Sequence, residues 1–208
     1  MEIIKDIEQG SQEWLQLRLG IATASNFKKI ITSTGAESKS LKDYAFELAS
    51  DSLLTEPEAS FQSEAMIRGN ELEEEARGYY SFVNDVKIDQ VTFIRKDEIG
   101  YSPDGLIDDN GLIEIKCPLK KNHLKYLVDN KLPTEYKSQV QGGLYISERE
   151  YCNFISYHPF FKDNKKMLVV KVYRDEEYIK KLSELLIKTI DLKNEILTKL
   201  QQYDSKLF

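Results

Sequence analysis

The 208-residue chain carries 29 Lys+Arg against 35 Asp+Glu, a net charge of −6, and is 41% hydrophobic and 31% charged. Such a composition is ordinary for a globular protein with one sizeable core. Its acidity argues against a protein that coats nucleic acid indiscriminately, and leaves room for an enzyme with one positively lined channel. No apolar run approaches the roughly 18 residues that would span a bilayer. Met1-Glu2-Ile3-Ile4-Lys5-Asp6 lacks the basic start and apolar core of a signal peptide, so a cytoplasmic location is expected. Cys117 and Cys152 stand in no CxxC pair, which disfavours a structural zinc or an iron–sulfur cluster and predicts two free buried thiols.

In chain order, Ser11–Leu19 and Thr23–Ile31 read as short helices with Ser11 and Thr23 as N-caps. A polar loop over 33–39 leads to a helix over Ser40–Leu54, where Leu41, Tyr44, Ala45, Leu48 and Ala49 recur at helical spacing. A long helix is expected over Gln62–Asn84. The period then changes. Gln90–Lys96, Ile99–Ser102, Leu106–Asp108 and Leu112–Cys117 read as strands, with Asp109-Asn110-Gly111 as a hairpin turn whose Asn and Gly accept positive φ. Helices return over Lys121–Asn130 and Thr134–Ser147, strands over Glu150–Tyr157 and Met167–Arg174, and a terminal helix over Asp175–Tyr203 capped by Asp175. Gly142-Gly143 inside a helix costs about 1 kcal/mol per residue against Ala, which suggests close packing or approach of a ligand. The expected architecture is α/β (α+β), one domain over 1–208, with a mostly antiparallel central sheet between helices.

The stretch Ser102–Pro118 carries the chemistry. On a strand, residues i and i+2 share a face, so Glu114 and Lys116 project together, with Ile113, Ile115 and Cys117 on the other side. The hairpin returns Asp104 to the same neighbourhood. Two carboxylates this close repel unless a positive charge lies between them. A hard divalent cation with oxygen ligands answers that need, and the Ile115 carbonyl could supply a third protein oxygen. Lys116 could hold or deprotonate a water at such a metal. The plainer alternative is a Glu–Lys pair on a solvated strand face.

These residues also carry a resemblance. Ser102-Pro103-Asp104-Gly105 followed by Glu114-Ile115-Lys116-Cys117-Pro118 resembles the core of the PD-(D/E)xK nucleases, and more narrowly the phage lambda exonuclease / YqaJ viral recombinase family. Three further blocks are similar to that family: Trp14 to Ser25, Arg68 to Arg77, and Ser138-Gln139-Val140-Gln141. The resemblance implies a restriction-endonuclease-like mixed sheet flanked by helices. It implies a Mg²⁺-dependent 5′→3′ exonuclease, with Mn²⁺ as a substitute ion, that degrades one strand of linear duplex DNA. Asp104, Glu114 and the Ile115 carbonyl are then metal ligands, Lys116 positions or activates water, and Glu73 is the helical acid. Gln139 is the preferred active-site glutamine, although Gln141 with Tyr145 also fits a related Gln-x-x-x-Tyr pattern. Arg18 and Ser25, near a helix N-terminus, become the pocket for a 5′-phosphate. A homotrimer and a single-strand annealing protein as partner are implied in the same way. The rival readings are another PD-(D/E)xK nuclease, either an endonuclease or a RecB-like exonuclease, and a non-catalytic DNA-end-binding protein. Lys116, Lys120, Lys121, Lys125 and Lys131 suit a strand-guiding wall, with a solvated face as the alternative for Lys125 and Lys131. His123 and His158 read as ordinary hydrogen-bonded residues.

Overall fold

The computed structural model describes residues 1–58 and 64–204. It contains β1 (Glu2–Ile4), α1 (Gln12–Leu17), β2 (Ala22–Thr23), a 3₁₀ helix (Ala24–Lys29), α2 (Leu41–Asp51), α3 (Glu64–Asn84), β3 (Ile88–Asp89), β4 (Phe93–Lys96), β5 (Ile99–Tyr101), β6 (Gly105–Ile107) and β7 (Gly111–Lys116). Then follow α4 (Lys120–Asp129), a 3₁₀ turn (Thr134–Tyr136), α5 (Lys137–Ser147), β8 (Tyr151–Tyr157), β9 (Met167–Tyr173) and α6 (Glu176–Asp204).

The strands form two mixed sheets rather than one group, β1-β4-β5-β2 and β3-β6-β7-β8-β9, and their pairing is mostly antiparallel as expected. β2 pairs parallel to β5 and β7 parallel to β8, while the other pairs are antiparallel. The β7–β8 connection runs through α4 and α5, as a parallel pair requires. β7 alternates between two cores. Leu112 faces a cluster with Phe27, Tyr101, Val140, Leu144 and Phe154, under the first 3₁₀ helix, α5, α2 and α6. Ile113, Ile115 and Cys117 face a second cluster with Ala76, Tyr80 and Tyr157, which α3 covers. Helices thus flank the five-stranded sheet on both faces, the mixed α/β sandwich expected.

Several local expectations hold. Trp14 N donates to Ser11 Oγ at 3.2 Å and Tyr178 N to Asp175 Oδ1 at 3.0 Å, so both residues cap their helices. The Gly142 and Gly143 expectation resolves as packing: a Cβ on Gly142 would lie 2.4 Å from the Phe27 ring and one on Gly143 2.8 Å from Tyr101. Other expectations are corrected. The 23–31 segment begins as a strand and continues as a 3₁₀ helix, and the Thr23 side chain makes no capping bond. It is drawn into the candidate site instead. In the β6–β7 turn the positive φ falls on Asp108, at 48°, not on Asn110 or Gly111. Gly111 is needed for a different reason, since a Cβ there would lie 2.6 Å from the Tyr151 ring. The expected start of α3 at Gln62 lies outside the described residues.

Candidate active site

β6 pairs with β7 only as far as Gly105↔Ile113. Beyond that point the Ile115 amide has no partner on β6, and the Asp104 carboxylate takes its place: Ile115 N donates to Asp104 Oδ2 at 2.5 Å. The N–H and C=O of one strand residue leave by the same edge. The Ile115 carbonyl therefore shares the edge that faces Asp104. From α3, Arg77 Nε donates to the Asp104 carbonyl at 2.8 Å, which fixes the turn carrying this acid.

Glu114 lies on the opposite face of β7 from Ile115 and is only 1% exposed. Burial of a carboxylate demands compensation. Lys116 Nζ donates to its Oε1 at 2.5 Å, Gln139 Nε2 donates to the same oxygen, and Tyr101 Oη donates to Oε2 at 2.7 Å. Tyr101, at the end of β5, was missed from sequence. The two glutamines separate in space. Gln139 reaches Glu114, whereas the buried Gln141 donates to the Tyr173 carbonyl at 2.9 Å and accepts from Asp175 N at 2.8 Å, tying α5 to the start of α6. In the acidic run of α3, Glu71, Glu74 and Glu75 are exposed and Glu73 is half-buried.

Glu73, Tyr101, Asp104, Glu114, Lys116 and Gln139 line one cavity of about 580 Å³ together with Gln9, Gly10, Trp14, Arg18, Thr23, Ser25, Asn70 and Ser102. Its acidic end holds Glu73, Asp104, Glu114 and Lys116. At its other end Arg18 Nη1 donates to Ser102 Oγ at 3.2 Å and Nη2 to Thr23 Oγ1 at 3.5 Å, and the guanidinium lies 4.0 Å over the Trp14 ring. Ser25 Oγ is 3.3 Å from Thr23 Oγ1. Thr23, Ser102 and the Trp14 ring were not singled out as site groups from sequence.

The electrostatics reflect an excess of acid in a sheltered space. Burial, reinforced by Glu114, pushes the Asp104 carboxyl well above its usual range. Burial also raises Glu73, with Glu114 adding to the effect and Lys116 and Arg77 opposing it. Lys116 loses solvation on burial, but Glu114, Asp104 and Glu73 more than offset this and raise it, so it stands as an ammonium. Burial lowers Arg18 to about 10, which leaves it cationic at neutral pH. Cys117, pushed up to about 12 by burial, Glu73 and Asp104, is a poor nucleophile. Both cysteines are free and buried, as expected.

Among the described residues no three His, Cys, Asp or Glu side chains close into a metal cage. What the site offers is two carboxylates and a strand carbonyl, all hard oxygens, beside an open cavity. Mg²⁺ is usually held by one or two carboxylates, with waters and substrate phosphate completing its octahedron. The residues present fit such an ion. Glu114 Oε1 already accepts two hydrogen bonds, whereas Oε2 accepts only from Tyr101 and keeps a second lone pair for an ion.

The fold is that of a known group of nucleic-acid enzymes. A crystal structure of an alkaline exonuclease (LHK-Exo) from Laribacter hongkongensis is similar with a TM-score of 0.87 and 29% identity, covering 95% of this chain and 100% of that one. A complex of LHK-Exo with dAMP gives 0.86 and 30% over the same shares. A phage related exonuclease from Haemophilus somnus 129PT shares the fold at a TM-score of 0.67 and 16% identity, covering 86% of this chain and 96% of that one. No curated protein matches the chain. The family model of the YqaJ-like viral recombinase domain matches residues 13–150, and the chain belongs to that family. It is the family that the four sequence blocks resemble.

Proposed function

We propose that this protein is a Mg²⁺-dependent 5′→3′ exonuclease that degrades one strand of linear double-stranded DNA and leaves a 3′ single strand. The observation that carries the reading is the single cavity joining Asp104, Glu114, Glu73 and Lys116 at one end to Arg18, Thr23, Ser25 and Ser102 at the other. Membership of the family supports it, as do the similar alkaline exonuclease and its complex with dAMP.

Asp104, Glu114 and the Ile115 carbonyl would hold Mg²⁺, with Mn²⁺ able to substitute, and that ion would polarise a phosphoryl oxygen and acidify a bound water. Lys116, held as an ammonium by Glu114, orients the attacking water by donating to it. Gln139 and Tyr101 hold the Glu114 carboxylate in one orientation. Glu73 adds negative charge on the α3 side of the cavity and accepts from solvent or from a waiting water. Arg18 and the Ser25 hydroxyl receive the terminal 5′-phosphate, which sets the register of the strand. In this proposal the enzyme works as a homotrimer and hands its 3′ strand to a single-strand annealing protein.

Digestion of linear duplex and of covalently closed circular duplex, with Mg²⁺ or with EDTA, tests the reading. Loss of linear DNA alone, and only with Mg²⁺, is expected. Cutting of circles would favour an endonuclease of the same superfamily. Binding of linear ends without digestion would favour an end-binding protein.

A further inference from the structure

The five-stranded sheet is covered unevenly. On the face that carries Ile113 and Ile155, α3 packs over β7 and β8, and the cluster beneath it reaches β9 only at Met167. Further along the same face of this edge strand, Val169, Lys171 and Tyr173 are exposed. Tyr157 Oη of β8 donates to Glu75 Oε1 at 2.7 Å, and the Tyr79 and Tyr157 rings lie 5.9 Å apart. The flank of α3 that carries Glu75, Tyr79 and Phe82 therefore turns towards β8 and β9. Phe82 on that flank is 86% exposed and Tyr173 63%. Single exposed apolar residues are ordinary, but an apolar strip shared by a helix flank and a sheet face marks a contact surface.

α4 lies against the other face of the sheet. His123 is bonded to Ser156 Oγ and the Lys165 carbonyl, each at 2.8 Å, as an ordinary buried histidine. Tyr126 packs through Tyr136 onto Phe154. Opposite these two anchors, Lys121, Leu124, Lys125 and Val128 form one exposed stripe at helical spacing, with Val128 75% exposed. The lysines alone would suit DNA, but a phosphate backbone offers nothing to Leu124 and Val128. Apolar side chains between cations suit a protein surface that is apolar within and acidic at its rim.

The strip beside α3 is such a surface. α3 exposes Glu71, Glu74 and Glu75, and its two arginines turn inward to the Cys117 and Asp104 carbonyls. Neither these acids nor Lys121 and Lys125 form an ion pair among the described residues. The two surfaces lie on opposite faces of one sheet, so they cannot meet within a monomer. Each carries a single sign of charge on its helix and repels its own copy, which disfavours a two-fold contact of either with itself. A contact between unlike surfaces runs head to tail, and such contacts close into rings.

We propose that the outer stripe of α4 docks on the strip between α3 and β9 of a neighbouring copy of this chain, and that this contact, repeated head to tail, builds the homotrimer. This rests on the homotrimer of the reading above and names the surfaces that form it.

The test is sedimentation velocity of the full chain across micromolar concentrations, with Tm and duplex binding in EDTA measured in parallel. The variants are Lys121→Glu with Lys125→Glu, Glu71→Lys with Glu74→Lys, the chain carrying all four changes, and Phe82→Asp. All five positions are exposed, so a Tm near that of the parent is expected. Like charges set against each other across an interface cost several kcal/mol. Each reversed pair, and Phe82→Asp, is therefore expected to raise the concentration for half-assembly at least about tenfold. The chain with all four changes is expected to recover most of the loss, because the charges again match. A trimeric parent whose variants all assemble like it overturns this interface alone. Loss of assembly in both reversed pairs without recovery in the fourfold chain overturns the match between the two surfaces. A Lys121→Glu, Lys125→Glu protein that stays trimeric but loses duplex binding assigns α4 to DNA and overturns the proposal. A monomeric parent overturns the homotrimer and the interface with it.

Discussion

Arg18 is the group whose removal separates end recognition from cleavage. Its guanidinium lies over Trp14 and donates to the neutral hydroxyls of Ser102 and Thr23, and it forms no ion pair among the described residues. Its charge is therefore left for a ligand. A terminal 5′-phosphate carries up to two charges, more than an internal diester, and charge-assisted hydrogen bonds contribute about 1.5–3 kcal/mol. That corresponds to roughly 10- to 150-fold in an equilibrium constant. The parent should accordingly start much faster on 5′-phosphorylated than on 5′-hydroxyl ends. Arg18→Ala should reduce the ratio of the two initial rates by about that factor. The lost contact with Trp14, partly desolvated, contributes about 1–2 kcal/mol to folding, and Arg18→Gln, which fills more of the space, serves as a second variant. The assay is the initial rate on two otherwise identical duplexes, with Mg²⁺ dependence as a check that the acidic end is intact. If Arg18→Ala keeps the parent's full phosphate preference, Arg18 is not in the end site. Equal parental rates on both ends would remove the pocket altogether.

Asp104→Ala and Glu114→Ala should abolish cleavage while end binding in anisotropy survives, and Lys116→Ala should be nearly inactive; a near-parental rate for any of them contradicts the assignment. Tyr101→Phe removes the 2.7 Å bond to Glu114 Oε2 and should raise the Mg²⁺ concentration for half-maximal rate by about tenfold, given about 1.5–3 kcal/mol for a bond to a charged group; an unchanged Mg²⁺ curve would remove Tyr101 from the site. Gln139→Ala should slow digestion with little change in Tm, whereas Gln141→Ala, which strands the Tyr173 carbonyl and the Asp175 amide, should lower Tm with a smaller effect on the rate of the folded fraction; the reverse pattern would exchange their roles. Sedimentation at micromolar concentration should give a trimer, and a stable monomer fully active on long duplex would refute that.

Much of the site was legible because its residues sit on one regular element. Glu114, Lys116 and the opposite-facing Ile115 follow from the period of two in β7, and Asp104 from the turn that returns β6 beside it. Tyr101 was hidden because nothing in its local pattern distinguishes a core tyrosine from one whose hydroxyl meets a buried carboxylate thirteen residues on. The choice between Gln139 and Gln141 depended on how α5 is rotated against the sheet, which short helical spacing does not determine. Thr23 looked like a helix cap because hydroxyl residues are favoured there, but the chain pairs Ala22 and Thr23 with Ile99 and Gly100 before it turns. The two-residue strands β2 and β3 carry too few residues to show an alternating pattern.

The central claim is tested most directly by following the two ends of one strand. A linear duplex carrying a label at the 5′ end of one strand or at the 3′ end of the same strand is digested with Mg²⁺ and sampled over time. The account predicts early release of the 5′ label as mononucleotide, while the 3′ label stays in long DNA until late. Early release of the 3′ label, or internal fragments that retain the 5′ label, would contradict it.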